Sequence, residues 1–478
     1  MALLSLALLC AFTIGAGTAV ARMLPARLAL LQVPAVAVRG LPTPEPVLRA
    51  AVGALGGQPG SGPQPGVTKA GLSAAVSGLI GARALGTDVG AVVTDLATGD
   101  VLYASNSAAP LAPASTAKLA TSIAALDVLR PGARFATRVV TGATPSAIVL
   151  VGGGDPTLAA GPPPASDYPQ PATLASLAAA TAVALRARGR HRARLGYDTS
   201  LFTGPALAPG WPASYVTTGN VTAITALEVD QGRLTARGAP QDSDDPGNFL
   251  PRSSDPAASA AVAFARLLGR HGIKIIGPPA RLRAPAGSAT LAQVSSPPLA
   301  EIVQWMLTES NNVIAENLAR QVAIATGQPA TFSGAAAAVM ATDRRLGVTG
   351  IDLVDSSGLS PRDRITPDAL VQLITAAAAA GHPALRAAIT GLPVAGFSGT
   401  LAAGQDAFGG AGPAALGVVR AKTGNLATVA ALAGVAYARD GQLLAFAVIA
   451  DHLPKNGLQA AGSDLLGVAT ALAGCGCR

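Results

Sequence analysis

The chain is 478 residues long, which at about 150 residues per domain is enough for two or three domains. Half of the residues are hydrophobic but only 3% are aromatic, so the core is built mainly from Ala, Val, Leu and Ile, and a wholly disordered chain is excluded. The net charge of +8 comes from scattered arginines without interleaved aromatic residues, which argues against nucleic-acid binding.

The N-terminus is an uncharged apolar run that ends in Ala19-Val20-Ala21, an A-x-A cleavage pattern. The run predicts export to the cell envelope, with residues 1–22 acting as a cleaved signal peptide or as a membrane anchor. No second apolar run of ~18 residues follows, which excludes a multi-pass membrane protein and limits membrane contact to this segment. Residues 23–68 are rich in Pro and Gly and predict a flexible linker.

The folded body is expected to begin near Lys69 and to have strands at both ends. Residues 88–103 predict two strands joined by a turn, and the apolar stretches 427–438 and 443–450 predict a hairpin. A last amphipathic helix is predicted over about 458–472. Strands from both halves, with helices between and outside them, predict one antiparallel sheet in an α+β layout.

The middle of the body, 139–292, has a different character. It combines short strands, proline-rich loops and a polar stretch, and it predicts an insertion that forms its own subdomain. Gly152-Gly153-Gly154 superficially resembles a phosphate loop. No GK[ST] follows it, however, and Asp155 would put negative charge where a phosphate should lie, so a tight turn is predicted instead.

The cysteines and histidines indicate no metal site. Cys10, Cys475 and Cys477 are the three cysteines, so the folded body has neither a disulfide framework nor a thiolate metal site. The four histidines lie far apart and lack metal-ligand spacing. Cys475 and Cys477 are interpreted as a feature of the tail, 473–478, able to form an intermolecular disulfide.

The first chemical motif is Ser115-Thr116-Ala117-Lys118, at the start of a predicted helix with an apolar stripe from Leu119 onwards. Residues three apart share a helix face, so Lys118 can reach the Ser115 hydroxyl. A lysine activates a serine nucleophile when burial and a nearby cation lower its pKa. Taken alone, the motif is better explained by a serine cap and an exposed lysine.

The second motif is Ser310-Asn311-Asn312, between two helical stretches. Its serine can relay protons between a leaving amine and a lysine, and Asn312 can bind a substrate amide. By itself, the motif is adequately explained as a polar connection between helices.

The third motif is Lys422-Thr423-Gly424, at the opening of the predicted hairpin. A strand edge presents backbone groups to an extended peptide, and Gly424 allows close approach. Lys422 and Thr423 can bind a carboxylate. By itself, this motif also decides nothing.

Together, S-x-x-K, S-x-N and K-T-G in this order resemble the penicillin-binding proteins and serine β-lactamases. The long interval between Ser115 and Ser310 is similar to that of the low-molecular-mass class C penicillin-binding proteins, the D-alanyl-D-alanine carboxypeptidase/endopeptidase family, which carry domains inserted between the first two motifs. The resemblance covers about 69–472. Further segments that fit the family are Leu150–Leu158 (G-G-x-D-P-x-L), Asp355–Ser360 (D-x-S-G-L-S), Gly396–Leu401 and Arg420–Gly424.

The resemblance implies an α+β fold: a penicillin-binding/serine β-lactamase-like transpeptidase domain, an antiparallel sheet flanked by helices, with a large inserted subdomain. It implies a serine D-Ala-D-Ala carboxypeptidase/endopeptidase that acts on peptidoglycan stem peptides, is inhibited covalently by β-lactam antibiotics and needs no metal or organic cofactor. The predicted divisions are 1–22 (signal peptide or anchor), 23–68 (linker), 69–138 (penicillin-binding domain, first part), 139–292 (insert), 293–472 (second part) and 473–478 (tail).

The family's catalytic roles carry over to the first two motifs. The resemblance implies that Ser115 is the acylated nucleophile and Lys118 its general base. Ser310 would pass a proton to the departing D-alanine, and Asn312 would orient the peptide.

The family's binding roles carry over to the third motif. Lys422 and Thr423 would bind the terminal carboxylate, beside Gly424. The backbone N–H groups of Ser115 and Asn425 would form the oxyanion hole. Asn425 stands where Thr is commoner in the family, a change that keeps the N–H.

Two alternatives remain open from the residues alone. A serine β-lactamase would need an added deacylating glutamate, and Glu316-Asn317 is the nearest, wrongly spaced candidate. A non-catalytic cell-wall-binding protein is disfavoured because all of the motif residues are intact. Arg362 and Arg364 can contact a substrate carboxylate, although surface charge explains them better.

Overall fold

The computed structural model describes residues 67–234, 251–403 and 410–477. The predicted N-terminal segment, 1–22, and nearly all of the predicted linker lie outside the described residues. Within the described ranges, no helix has both the length and the apolar character that crossing a membrane requires.

The described chain contains thirteen strands and eleven α-helices. The strands are β1 (Asp88–Asp95), β2 (Val101–Ser105), β3 (Ala136–Thr141), β4 (Ala147–Val151), β5 (Arg192–Asp198), β6 (Lys274–Ile275), β7 (Ala280–Arg281), β8 (Thr290–Ser295), β9 (Ile351–Asp352), β10 (Arg364–Ile365), β11 (Val419–Leu426), β12 (Val429–Tyr437) and β13 (Leu443–Asp451). The α-helices are α1 (Lys69–Ile80), α2 (Lys118–Leu129), α3 (Leu174–Arg186), α4 (Ser214–Thr217), α5 (Pro256–Arg270), α6 (Leu299–Thr308), α7 (Asn312–Ala325), α8 (Phe332–Arg345), α9 (Pro367–Ala378), α10 (Ala387–Thr390) and α11 (Leu458–Gly474).

A five-stranded antiparallel sheet forms the body, in the order β11-β12-β13-β1-β2. Strand β1, from the start of the body, pairs with β13, from its end, over the full length from Asp88 opposite Asp451 to Asp95 opposite Leu444. The prediction of one antiparallel sheet assembled from both halves of the chain is confirmed.

Helices cover both faces of this sheet. Successive side chains of a strand point to opposite faces, so β12 supplies Leu432 to one core and Ala433 to the other. Helices α1 and α11 pack on the Leu432 side, and α2, α7, α8 and α9 pack on the Ala433 side. The sheet is therefore buried on both faces, and β11 forms one of its edges.

The predicted elements of the body are found with small shifts. The C-terminal hairpin joins β12 to β13 as predicted, and the last helix extends two residues beyond the predicted end, to Gly474. The helix predicted to begin at Ser115 was placed too early. Ala114 has a left-handed φ of 47°, the residues Ala114–Ala117 form a 3-10 turn, and the α-helix begins at Lys118.

A second sheet consists of strands that lie between Ala136 and Ser295. Its order is β6-β5-β4-β3-β8, with β7 beside β5, and β4 and β5 run parallel. Helices α3 and α5 pack on one face of it, where Leu177 and Phe264 join the buried strand residues in a separate hydrophobic core.

The tail cysteines are bonded to each other. Cys475 and Cys477 form a disulfide within one chain, which corrects the interpretation that they serve an intermolecular link. Cys475 is buried against α1 and α11.

Candidate active site

The three sequence motifs meet at one cleft. Nζ of Lys118 lies 2.8 Å from Oγ of Ser115 and 2.7 Å from Oδ1 of Asn312. Nζ of Lys422 lies 2.8 Å from Oγ of Ser310. The 3-10 turn, the start of α7 and the edge strand β11 thus bring together two lysine–serine pairs.

Two glycines allow other segments to pack closely against the 3-10 turn Ala114–Ala117, which carries Ser115 and is called the nucleophile turn below. Gly358 has a φ of 81°, and a Cβ there would collide with the backbone carbonyl of Ala114. On the other side, a Cβ at Gly424 would lie 2.7 Å from the carbonyl oxygen of Pro113. Only glycine fits either position, and the close approach lets the 355–360 loop and β11 fix the backbone around Ser115.

Lys118 is fully buried, and this changes its acidity. Burial lowers its pKa from 10.5 to about 7, although the carboxyl groups of Asp355, Glu316 and Asp363 act in the opposite direction. A large fraction of Lys118 is therefore neutral near pH 7, as a general base requires.

The backbone oxygen of Ser357 is the third partner of Lys118, at 2.7 Å. Ser357 belongs to the loop that Asp355 organises: the Asp355 carboxyl oxygens accept the N–H groups of Ser357, Gly358 and Ser360 at 2.7 to 3.0 Å. Sequence analysis noted the segment as a resemblance and gave it no role. The loop contributes the carbonyl oxygen of Ser357, which accepts a hydrogen bond from Lys118.

Three carboxyl groups cluster behind Lys118. Burial, with a further contribution from Asp355, raises the pKa of Glu316 to about 8 and that of Asp363 to about 9. The protonated form of both carboxyl groups is therefore favoured near neutral pH. Their oxygens accept backbone N–H groups: Ser356 N–H donates to Glu316 and Val354 N–H to Asp363.

Lys422 and Ser310 form the second pair. Nζ of Lys422 also donates to the carbonyl oxygen of Thr423 at 2.8 Å. Burial and the nearby Lys118 hold the pKa of Lys422 well below its usual value, against an opposing effect of Glu309. Ser310 has a left-handed φ of 54°, a conformation that costs a non-glycine residue about 1–3 kcal/mol and is found at functional sites.

Asn312 positions Lys118 and also contacts the insert. Its Oδ1 accepts from Lys118, and its Nδ2 donates to the carbonyl oxygen of Asn220 at 2.9 Å. Sequence analysis expected Asn312 to orient the peptide. The carboxamide has one further N–H with which to do so.

The third motif lies on the open edge of β11. Ala421 donates its N–H to Pro393, outside the ladder with β12, so the N–H groups of Thr423 and Asn425, two and four residues later, point the same way. The N–H of Asn425 is thus available at the open edge. The Thr423 hydroxyl lies 2.7 Å from that of Thr400, a neighbour that sequence analysis did not assign to the site.

A segment of the insert packs against residues of the site. Trp211 donates its indole N–H to Asp355 at 2.8 Å, and Gln231 accepts from Asn311 at 2.9 Å. Arg320 of α7 fixes this segment by donating to the carbonyl oxygens of Thr203 and Pro205. No sequence signal identified these contacts, since they join residues far apart in the chain.

Arg362 and Arg364 bond to backbone carbonyls. Arg362 donates to Pro209 at 2.9 Å, and Arg364 donates to Pro361 at 2.7 Å. Both contacts fasten loops of the protein.

The D-Ala-D-Ala carboxypeptidase 3 (S13) family model matches residues 72–250 and 233–471. The chain belongs to this family. A carboxypeptidase DacB of Mycolicibacterium smegmatis is 37% identical over 87% of this chain and 86% of its own length. A carboxypeptidase of Mycobacterium tuberculosis is 36% identical over 88% of this chain and 90% of its own length. The family resemblance inferred from the motifs is confirmed, and the chain is a serine-type D-Ala-D-Ala carboxypeptidase.

The fold agrees with this membership. Penicillin-binding protein 4 of Haemophilus influenzae superimposes with a TM-score of 0.66, covering 84% of this chain and 98% of that chain at 20% identity. A structure of the same protein complexed with a β-lactam gives a TM-score of 0.60. The predicted α+β penicillin-binding fold with an insert is confirmed at the level of the fold class.

Proposed function

We propose that this S13 carboxypeptidase removes the terminal D-alanine from peptidoglycan stem peptides through an acyl-enzyme on Ser115, with Lys118 as the base. The observation that carries the proposal is the set of partners around Nζ of Lys118. A neutral amine has two N–H groups and one lone pair, and the oxygens of Asn312 and Ser357 can only accept. Both N–H groups are therefore used, and the lone pair faces the hydroxyl of Ser115.

Acylation then proceeds with a balanced proton transfer. Oγ of Ser115 attacks the carbonyl carbon of the penultimate D-alanine while its proton passes to Lys118. The negative oxygen that forms accepts the N–H groups of Ser115 and Asn425, each such donor being worth ~3 kcal/mol. When the C–N bond breaks, the Ser310 hydroxyl gives its proton to the amine of the departing D-alanine and recovers one from Lys422. Water then attacks the ester carbonyl and gives a proton through Ser310 to Lys422, while the departing Ser115 oxygen recovers its proton from Lys118, so both lysines return to their starting states.

The free carboxylate of the substrate binds at the edge of β11. Nζ of Lys422 and the Thr423 hydroxyl, beside that of Thr400, supply the donors, and a carboxylate bound there favours the protonated form of Lys422. Because such a carboxylate is also present in penicillins, β-lactams are expected to acylate Ser115.

Slow release of the penicilloyl group distinguishes this proposal from a β-lactamase. The candidate deacylating residue, Glu316, is fully buried, and one of its oxygens accepts the N–H of Ser356. It therefore serves the structure of the 355–360 loop. Endopeptidase action on D-Ala cross-links is included in the proposal, since the same acyl-enzyme is formed in both reactions.

Location in the cell envelope is also proposed, because the substrate is extracytoplasmic and the apolar N-terminus predicts export. Residues 1–22 would act as a cleaved signal or as an anchor. Sequencing the N-terminus of the mature protein distinguishes these two outcomes.

The deciding experiment compares the wild type with Ser115→Ala. Wild type is expected to release D-alanine from a pentapeptide and to keep a fluorescent penicillin bound for many minutes. Ser115→Ala should lose both activities and change stability by only ~1 kcal/mol, since it removes one hydrogen bond, to Lys118. Labelling of a different serine, or rapid turnover of the penicillin, would overturn the proposal.

A further inference from the structure

One face of the insert sheet carries several exposed cations. The buried pairs Val139–Leu150 and Ile148–Leu195 place alternate residues against α3 and α5. Residues between them must point to the opposite face, since side chains alternate along a strand. The exposed cations that the register places on this opposite face are Arg138, Arg192, Arg194 and Lys274.

The side chains of these cations are unpaired among the described residues. None of their side chains forms a hydrogen bond or an ion pair there. The carboxyl group of Asp198 lies on the same face, but its oxygens accept the N–H groups of Ser200 and Ala284 at 2.7 Å. Four exposed cations and one buried carboxyl group leave the face with a net positive charge, which attracts anions.

A groove crosses this face. The loop that follows β7 runs over the sheet and encloses a cavity of about 520 Å³, with Arg138 and the exposed Arg283 at its sides. Val140, Val151 and Pro285 add apolar surface. The buried carboxyl group of Asp198 also lines the groove, where its oxygens accept N–H groups of the backbone. Two exposed guanidinium groups thus outnumber one carboxylate beside an apolar lining, which suits a chain that carries carboxylates on a partly apolar framework.

We propose that this groove, with the cationic face around it, binds carboxylates of the peptidoglycan polymer and holds the enzyme on its insoluble substrate. The inference rests on the proposed function, because peptidoglycan is the substrate there and its stem peptides carry repeated carboxylates. Guanidinium groups bind carboxylates through paired hydrogen bonds. Repeated weak contacts along a polymer give an avidity that no single contact provides.

The test is co-sedimentation of the purified protein with peptidoglycan sacculi from which phosphate-containing polymers have been removed. Arg138→Gln with Arg283→Gln removes two charges from the groove. Arg266→Gln with Arg270→Gln removes two charges from exposed positions of α5, on the other side of the sheet. The groove pair should weaken binding about tenfold and reduce its salt dependence, and the control pair should leave binding within about twofold.

Equal weakening by both pairs would overturn the proposal, since it would mean attraction by net charge alone. Binding only to sacculi that retain phosphate-containing polymers would overturn it as well, in favour of a phosphodiester ligand. Pentapeptide hydrolysis should be unchanged in both pairs. This soluble assay reports on the proposed function separately, because it does not depend on the groove.

Discussion

Lys118 and Lys422 are both buried beside a serine, yet their remaining partners differ. Lys118 → Arg should abolish acylation by a fluorescent penicillin, because a guanidinium does not release a proton near neutral pH. Lys422→Arg keeps a cation beside the carboxylate site, so measurable acylation should remain, with substrate affinity reduced more than the chemical step. The measurement is the acylation rate of each variant as a function of penicillin concentration.

The pH dependence of the acylation rate further distinguishes the roles of Lys118 and Lys422. Burial lowers the pKa of Lys118 to about 7, so the base is protonated and inactive below that pH and free above it. The wild-type acylation rate should therefore rise with pH through about 7. Lys118→Arg should lose this rise and Lys422→Arg should keep it. Equal losses with the same pH profile in both variants would contradict the assigned roles.

Gly358 is the residue on which the nucleophile turn depends most directly. Gly358→Ala would place a methyl group against the carbonyl of Ala114 and force alanine into a left-handed backbone, itself a cost of about 1–2 kcal/mol. We expect a lower unfolding midpoint and at least tenfold slower acylation. Gly269→Ala, in α5 with no atom within 4 Å of the new Cβ, should be neutral or stabilising. Equal behaviour of the two variants would refute this role.

At the residue scale, the sequence identifies the side chains that react but not the groups that position them. Ser115, Lys118, Ser310 and Lys422 lie in motifs whose spacing is specific in combination. The carbonyl of Ser357 has no sequence signature, since every residue has a carbonyl. Its position depends on the 355–360 loop folding around Asp355.

The insert segment that packs against the site gives an element-scale prediction. Trp211 stacks edge-on against Phe332 and donates its indole N–H to Asp355. Trp211→Phe keeps an aromatic ring but removes the donor. We expect a loss of ~1–3 kcal/mol of unfolding free energy and slower acylation, because Asp355 orders the loop that supplies the Ser357 carbonyl.

Trp305→Phe is the matched control for Trp211→Phe. Trp305, the other of the two tryptophans, lies in α6, and its indole N–H has no hydrogen-bond partner among the described residues. Its replacement should leave the acylation rate within about twofold, since no hydrogen bond is lost. If both variants slowed acylation to the same degree, the hydrogen bond from Trp211 to Asp355 would have no specific role in ordering the 355–360 loop.

At the element scale, strands and helices were predicted correctly where the apolar residues follow the pattern of the element. Strand β12, with apolar residues throughout, and the amphipathic helix α11 were located within a few residues. The 3-10 turn at Ser115 was missed because the left-handed φ of Ala114 comes from packing against Gly358, a tertiary contact. The role of the insert at the site was missed for the same reason.

At the scale of the whole molecule, several ionisable side chains are buried around the base Lys118. The body sheet brings the N-terminal turn with Ser115 next to β11, and α7 completes the enclosure with Asn312 and Glu316. The burial that results lowers the pKa of Lys118 to about 7, so that it can act as a base near that pH. The same closure gives buried carboxyl groups raised pKa values, so the stability of the protein must depend on pH.

Glu316 allows this dependence to be measured. Burial, with the neighbouring Asp355, raises its pKa from 4.5 to about 8. Between these values the folded protein keeps a proton that the unfolded chain has released. The stability contributed by protonated Glu316 is therefore complete below about pH 4.5 and is lost as the pH rises through about 8.

Glu316→Gln removes this titration while keeping an oxygen that can accept the N–H of Ser356. The unfolding midpoint of the variant, relative to wild type, should rise steadily between pH 5 and pH 9, because glutamine has no charge to bury at high pH. Lys118 acts in the opposite sense only between about 7 and 10.5, so the difference below pH 7 reports on Glu316. A flat or falling difference for Glu316→Gln would show that this carboxyl group is ionised in the native protein at neutral pH.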